Sequence, residues 1–437
     1  MNKFLFKHID NSALIVFRIC FGILVIFESF GAILTGWVKH TFIDPKFTFS
    51  FIPFEWLQLL PGSWMYLYYA IMGILGIFIT LGYKYRWSII GFTLLWSASY
   101  FMQKSSYNNH YYLLILLSGF MAIVPANRYL SIDVKLHPEI ENNAMPNWCR
   151  WIFIAQLFIV YSYASIAKLY PDWLSLSVIE ILMKDKQNYA LVGEVLQQRW
   201  LHGIVAYGGI LFDGLIIPLL LWKPTRKWAF MVSIVFHIFN SFIFQIGIFP
   251  YMSLALCLFF FEPKTIQQLF LKKKTFYEDG EVKVPNNQKP FLVFFTFYFL
   301  IQIALPLRHW FIKDDVLWTE EGHRLSWRMM LRSRSGITSF KVVDKASKVE
   351  IPVKLEAYLT AKQIRNVKTK PDMMWQFTQH LKRSYAKNGM DIEVYVNSYL
   401  KVNDNPVKPF IDPEVDLANV KWEHLKHSSW ILPSKQD

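Results

Sequence analysis

Stretches of mostly apolar residues at 12–36, 64–82, 86–104, 110–125, 148–168, 203–222, 227–246, 248–262 and 290–308 constrain this chain more than any other feature. Each approaches the roughly twenty residues that an α-helix needs to cross the hydrocarbon of a bilayer. Backbone amides have no water to bond in lipid, so runs of this kind pair their own amides as helices. The expected fold is therefore a polytopic α-helical membrane bundle of about nine transmembrane helices. At 54% hydrophobic and 18% aromatic against 18% charged residues, the composition excludes a set of ordinary soluble domains. The first run is too long for the core of a signal peptide and no small-residue cleavage site follows it, so it reads as the first span.

A net charge of +14 would suggest nucleic acid in a soluble protein. Here the basic residues fall mostly between apolar runs, where they act as topology signals and lipid contacts. Membrane lipid is the expected partner, and no nucleic acid. With a cytoplasmic N-terminus, the inside segments collect Lys3, Lys7, Lys84, Arg86, Arg128 and the Lys272 to Lys274 run among others, while the outside holds fewer, such as Lys39, Lys46 and Arg199. An odd number of spans then puts the C-terminal region outside, in a periplasm or a lumen. Cys20 and Cys257 lie inside apolar runs and Cys149 opens another, with no metal spacing, so neither a disulfide nor a metal site is expected.

After Arg308 the composition turns polar. Ser339 to Val343, Val349 to Leu359 and Ile392 to Val402 alternate with the period of half-buried strands, and Asp372 to Lys387 reads as a helix. The division is thus a helical membrane domain over 1–308 and a β-rich α+β extramembrane domain over 309–437. The charged segment Lys272 to Lys289 reads as a flexible cytoplasmic linker.

Ionisable residues within spans are costly, which makes Glu28, His110, Lys168, Asp213 and His237 site candidates. Tyr161, Ser165 and Lys168 are spaced four and three apart and share one face of the fifth span. Lys168 either reaches the outer headgroups from its terminal position or lies among apolar neighbours, where lost hydration favours a neutral, proton-accepting amine. Asn109 and His110 follow Ser105 to Asn108 at a helix entry, where capping of free amides competes with the orientation of an oxygen-bearing substrate. His237 and Asn240 share a face, as packing glue or as part of a site. Asp213 pairs with one of the histidines on this reading, Glu28 faces a cavity or a lysine, and Arg18 reaches for the inner surface.

A long series of motifs runs along the chain in a defined order and spacing. The series runs through Leu14 to Arg18, Ser63-Trp64-Met65-Tyr66-Leu67, Asn108-Asn109-His110, Ala126-Asn127-Arg128-Tyr129 with Asp133, Lys168-Leu169 with Asp172-Trp173, and Phe236-His237 with Asn240-Ser241. It continues through Ile246-Gly247 with Phe249 and Tyr251, Ser326-Trp327 with Met329-Met330, Ser333-Arg334-Ser335, Asn403-Asp404, Asp412-Pro413 with Val415-Asp416, and Ser429-Trp430. In order and spacing this series resembles the vitamin K-dependent gamma-carboxylase family.

The resemblance implies a reaction in which reduced vitamin K (phylloquinol or menaquinol), O2 and CO2 convert a glutamate of a protein or peptide substrate to gamma-carboxyglutamate and yield the quinone epoxide, without a metal. It assigns Lys168 to deprotonation of the lipid-soluble hydroquinone and places Asn109 and His110 at the quinone and oxygenation site, joined by His237 and Asn240. For the glutamyl substrate it points to Trp318, His323, Ser326, Trp327, Arg332 and Arg334, with Arg334 expected to grip a carboxylate through both oxygens. Positions 323 and 332 depart from the animal enzymes, which carry an aromatic hydroxyl residue and a histidine there, and this bears on substrate preference. The long C-terminal extension and the cysteine bridge of those enzymes have no counterpart here, so propeptide recognition is expected to be altered. The alternatives are quinone epoxidation without carboxylation, a membrane acyltransferase built on His237 and Asn240, and a transporter or binding protein with no catalytic role. A bacterial inner membrane is the expected location, with the C-terminal domain periplasmic.

Overall fold

A computed structural model describes residues 2–435. All the apolar runs form helices: α1 (Ser12–Leu34), α2 (Trp64–Leu81), α3 (Tyr85–Met102), α4 (Asn109–Ile123), α5 (Trp148–Ile166), α6 (Arg199–Leu221), α7 (Arg226–Phe239), α8 (Phe249–Leu256) and α9 (Gln288–Leu307). Among the described residues six helices are long and apolar enough to cross a membrane, namely α1, α2, α5, α6, α7 with its extension to Phe244, and α9 with its extension to Phe311. The helices Asn109–Ile123 and Phe249–Phe260 are apolar but shorter. Helix α3 has 18 residues, and its tyrosines, tryptophans, serines and Arg86 dilute its hydropathy. The chain is therefore a membrane helical bundle carrying a sheet-containing extra region.

Small residues set how closely the bundle packs. A Cβ added at Gly22 of α1 would stand 2.3 Å from Thr80 Oγ1, and one at Gly73 of α2 would stand 2.5 Å from the Phe30 ring. Lipid tails are as apolar as leucine, so association of such helices relies on close contact, and small residues permit it.

Charged groups buried in the bundle are met by partners. Arg18 is fully buried and donates to the carbonyls of Ala126 (2.8 Å), Tyr129 (3.1 Å) and Leu130 (2.5 Å). This corrects the expectation that it reaches the membrane surface: three carbonyls inside the fold meet its donors. The 272–289 segment is also pinned rather than a free linker. Lys274 Nζ lies 2.5 Å from Asp10 Oδ2 with both side chains fully buried, and the same carboxylate accepts from Tyr277 N. Asp10 ends strand β1 (His8–Asp10), which pairs antiparallel with β2 (Ala144–Pro146).

Beyond α9 a four-stranded antiparallel sheet has the order β4-β3-β5-β6, from β3 (Arg334–Asp344), β4 (Glu350–Pro352), β5 (Ile392–Val402) and β6 (Lys408–Ile411). Alternation along β3 and β5 turns Phe340, Val342, Val394, Val396 and Leu400 inward. There they share a core with Met373, Phe377 and Leu381 of helix α10 (Pro371–Ala386). Strand β3 is longer than its sequence pattern suggests, because it pairs with β5 along its whole length, Arg334 opposite Val402 through Asp344 opposite Ile392. The expected strand over 349–359 shrinks to β4 and is followed by a 3-10 turn at Leu355–Ala357. Pro352 lacks an amide to continue the ladder.

The extra region is docked, not tethered. Gln363 donates to Phe47 O (2.6 Å), Gln376 to Ser50 O (3.1 Å), and Asn403 to Asp172 (2.7 Å). Phe49, Trp173 and Ile179 of the membrane part join its hydrophobic core.

Gly22→Leu should lower stability by roughly 1–3 kcal/mol or more through overpacking at the α1–α2 contact. Gly31→Ala, where an added Cβ meets nothing within 4 Å, should leave the thermal midpoint in detergent unchanged or slightly raised. Equal midpoints for the two variants would contradict this account of the contact.

Candidate functional site

Helix α5 ends at Ile166, and a short turn leads to Pro171, which opens the next short helix at Pro171–Leu174. Lys168 sits in this turn, and its position is fixed from three sides. Its amine lies 2.5 Å from Asp213 Oδ2 on α6, donates to Ala164 O at 3.1 Å, and stands 5.6 Å from the ring centroid of Trp173. Trp173 is anchored in turn by its indole N–H to Ala206 O of α6 (3.2 Å). Lys168 is buried, with its side chain 11% exposed. It therefore neither reaches the headgroups nor stands among apolar groups alone. Asp213, expected to pair with a histidine, pairs with Lys168 instead.

The shared face of α5 is used throughout. Tyr161 OH is 3.0 Å from His237 Nε2, and Ser165 Oγ donates to Ile210 O at 3.0 Å. His237 is buried on α7, and its Nδ1 has no hydrogen-bond partner among the described residues. Below it α7 widens into a π-turn at Asn240–Phe244, a local irregularity often found at functional sites. Asn240 bonds back to Phe236 O (2.8 Å).

At the entry of α4 the cap and the candidate site separate by residue. Asn108 accepts from Tyr111 N (2.8 Å) and is the helix cap. Asn109 accepts from Tyr107 OH (2.7 Å) and donates to Arg328 O (3.1 Å), which ties this corner to the extra region. His110 is half-buried, with Tyr111 and Phe249 as ring neighbours.

These groups line one cavity of about 640 Å³. Lys168, Asp213, Asn109, His110, His237 and Asn240 all reach it. One part of its wall is apolar, with Ile204, Phe212, Val235, Phe236 and Phe249 among the lining residues. On α6, Gly208 and Gly209 line it too, and a Cβ at either would meet nothing within 4 Å. The remaining wall comes from the segment between α9 and β3 and from the start of α10. It brings in Glu320, His323, Arg324, Arg328, Arg332 and Lys370.

The predicted substrate residues divide at this wall. His323 and Arg332 line the cavity. Trp318, Ser326, Trp327 and Arg334 are not among the lining residues. Trp318 donates to Leu432 O (2.7 Å) and packs on Phe410; Ser326 donates to His323 O; Trp327 is 1% exposed and stacks on Tyr112. Arg334 donates to the carbonyls of Leu317, Trp318 and Thr369 and lies 3.5 Å from Glu320, so its fork is already occupied.

Four wall residues escaped the sequence reading: Glu320, Arg324, Arg328 and Lys370. A signal existed in the recurrence every four residues of Glu320, Arg324, Arg328 and Arg332. The segment is no helix, but positive φ at Glu320, Gly322, Leu325, Trp327 and Met330 folds it into turns that present these side chains together. Arg324 donates to both carboxylate oxygens of Asp372 (2.5 and 3.2 Å), and Lys104 lies 2.7 Å from the same carboxylate. Burial would raise Asp372, yet Arg324 and Lys104 outweigh it and hold the carboxyl well below the usual range. Glu320 behaves alike, with Arg332 overcoming burial. Burial, reinforced by Arg332, pushes His323 well below its ordinary value, so the ring is neutral at pH 7. Its Nδ1 has no hydrogen-bond partner among the described residues. Among those residues, too, no group of three or more His, Cys, Asp and Glu is arranged to hold a metal.

Two family models match the chain. One, described as "HTTM domain", covers residues 6–264; the other, described as "Vitamin K-dependent gamma-carboxylase, lumenal domain", covers residues 287–437. No solved structure matches.

Removing one partner from a buried ion cluster strands the others, at about 3–5 kcal/mol. Asp372→Ala should therefore cost about that much by leaving Lys104 and Arg324 uncompensated, as read from thermal unfolding at pH 7. Because the folded carboxyl titrates below its unfolded value, its contribution is fully present above about pH 5 and is lost only as pH falls through the depressed value. Across pH 5–8 the difference between wild type and variant should be largest near pH 5 and narrow toward pH 8, because Lys104 and Lys370, whose amines this carboxylate helps keep protonated, begin to lose their protons over that range.

Proposed function

The chain belongs to the vitamin K-dependent gamma-carboxylase family, and from that membership we propose that it couples epoxidation of a reduced naphthoquinone by O2 to carboxylation of protein glutamate with CO2. The carboxylase character and the dependence on reduced vitamin K come with the family. The coupling, the residue roles and the orientation are our reading. The observation that carries it is the pair Lys168 and Asp213, 2.5 Å apart and facing a cavity with an apolar wall from the helices and a cationic wall from the extra region.

A γ-hydrogen of glutamate is far too weak an acid for any side-chain base. The hydroquinone and oxygen supply the strong base once one weak base has started the reaction. Lys168 Nζ is placed to take the hydroquinone's proton. As an ion pair it holds no spare basic site, but Asp213 Oδ2 does: one lysine proton moves to the carboxylate as the hydroquinone's proton arrives, and the couple gains a single proton. Enclosure serves the rest of the cycle by keeping water from quenching a strong base. His110 and His237 offer ring nitrogens, and Asn109 and Asn240 amides, to the oxygens of the quinone. The wall bearing His323 and Arg332 takes the glutamyl side chain in this scheme.

For topology we propose about nine crossings, the three less apolar helices included, with a cytoplasmic N-terminus and residues 309–437 periplasmic in a bacterial inner membrane. Lys and Arg concentrate in the segments this assigns to the cytoplasm.

Epoxidation without carboxylation remains a second reading, favoured by Arg334, whose donors already meet backbone carbonyls.

Purified protein given chemically reduced vitamin K and O2 should form the epoxide. Lys168→Ala should lose at least about a hundredfold in that rate, the usual scale of a removed acid–base group, and Asp213→Asn should also lose at least about tenfold. Wild-type protein without epoxide, or Lys168→Ala with full activity, would end this assignment. Labelled bicarbonate with a glutamate-containing peptide then separates the two readings, since only the first predicts label in the peptide.

A further inference from the structure

The outer wall of the cavity holds more positive than negative side chains. Arg324, Arg328, Arg332 and Lys370 line it, and Glu320 is the carboxylate among them. Two of these cations have internal counter-ions. Arg324 is held by Asp372, and Arg332 by Glu320. Arg328 meets His309 at 3.4 Å and gives its carbonyl to Asn109.

Lys370 differs. It precedes Pro371 at the start of α10 and is enclosed by protein, yet it keeps accessible surface, and it is one of the residues lining the cavity. Its backbone carbonyl accepts from Met373 and Met374, but no hydrogen bond or ion pair of its amine occurs among the described residues. The charged groups facing it are Arg324 and Arg332, which repel it, and Glu320 and Asp372, which attract it. Both carboxylates are already bonded to other cations, and neutral His323 shares the wall. A buried ammonium without a partner is costly, so this amine either gives up its proton or keeps it beside an anion arriving through the cavity.

We propose that Lys370 Nζ is the contact for a ligand carboxylate at the outer end of the cavity, either the glutamyl side chain or bicarbonate. This deepens the carboxylase reading and relies on it only for the identity of the natural ligand. A charge-assisted bond here positions the carboxyl group while Arg324 and Arg332 keep the surroundings positive. Burial, with Arg324 adding to it, lowers the Lys370 amine to about 7. A bound carboxylate favours the protonated amine, so affinity is full below pH 7 and falls about tenfold per unit above it, until the value of the complex is reached.

The test is binding to the full chain in detergent without quinone, so that it stands apart from turnover. N-acetyl-L-glutamyl amide and sodium bicarbonate serve as separate probes, followed by ligand-observed NMR and by competition, with N-acetyl-L-glutaminyl amide as the uncharged counterpart. Lys370→Met should weaken binding of one carboxylate probe by about tenfold or more, on the scale of a lost charge-assisted bond, and leave the glutaminyl compound unaffected. Lys370→Arg should restore the affinity to within about threefold and abolish the loss above pH 7, since a guanidinium stays charged. Whichever probe shows this pattern is the source of the carboxylate. Wild-type affinity for both probes in Lys370→Met, or an unchanged pH dependence in Lys370→Arg, would overturn the proposal. If Lys370→Met fails to fold, the pH dependence of the arginine variant decides alone. Failure of the wild type to make epoxide would instead count against the reaction proposed above.

Discussion

Lys168 and Asp213 meet 2.5 Å apart, where the end of α5 touches the middle of α6. Neither side chain has bulk water as an alternative, so each keeps the other in place. The amine also stands 5.6 Å from the Trp173 ring centroid, Tyr161 meets His237 of α7, and all of these groups border the cavity of about 640 Å³. Gly208 and Gly209 help keep that space open by presenting no side chain to it.

The same rule governs charge elsewhere in the chain. Asp10 pairs with Lys274, Arg18 is met by backbone carbonyls, and Asp372 stands between Lys104 and Arg324. The last cluster has a further consequence, because Lys104 belongs to the connection between α3 and α4 while its partners belong to the extra region. It helps to dock that region beside the helix entry carrying Asn109 and His110, where Asn109 bonds the Arg328 carbonyl. Docking, more than sequence neighbourhood, gives the cavity two chemically different walls, one apolar and one cationic. Lys370 stands out against this rule as a cation in the wall whose amine has no hydrogen-bond or ion-pair partner among the described residues.

Much of this was legible in the chain. Apolar runs near the span length specify helices because lipid offers a backbone no other partner, and all of them are helical. Alternation of period two located β5 to the residue, and the spacing of Tyr161 and Ser165 put both on one face of α5, with Lys168 in the turn just past its end. Recurrent motifs identified the family that two models independently match. The local patterns that succeeded are those in which a residue's neighbours in sequence are also its neighbours in space.

Only the tertiary structure decided which charges meet. Lys168 and Asp213 are 45 residues apart, Lys104 and Asp372 further still, and no periodicity connects them. Arg334 and Arg332 look alike in sequence, yet one lies against backbone carbonyls and the other lines the cavity, because strand β3 begins at Arg334 and turns its side chain into the interior of the extra region. The sequence by itself determined helices, strands and kinship, since these depend on short-range geometry and on lipid. The pairing of buried charges depends on how helices and sheet dock, and that is settled by packing across the whole chain.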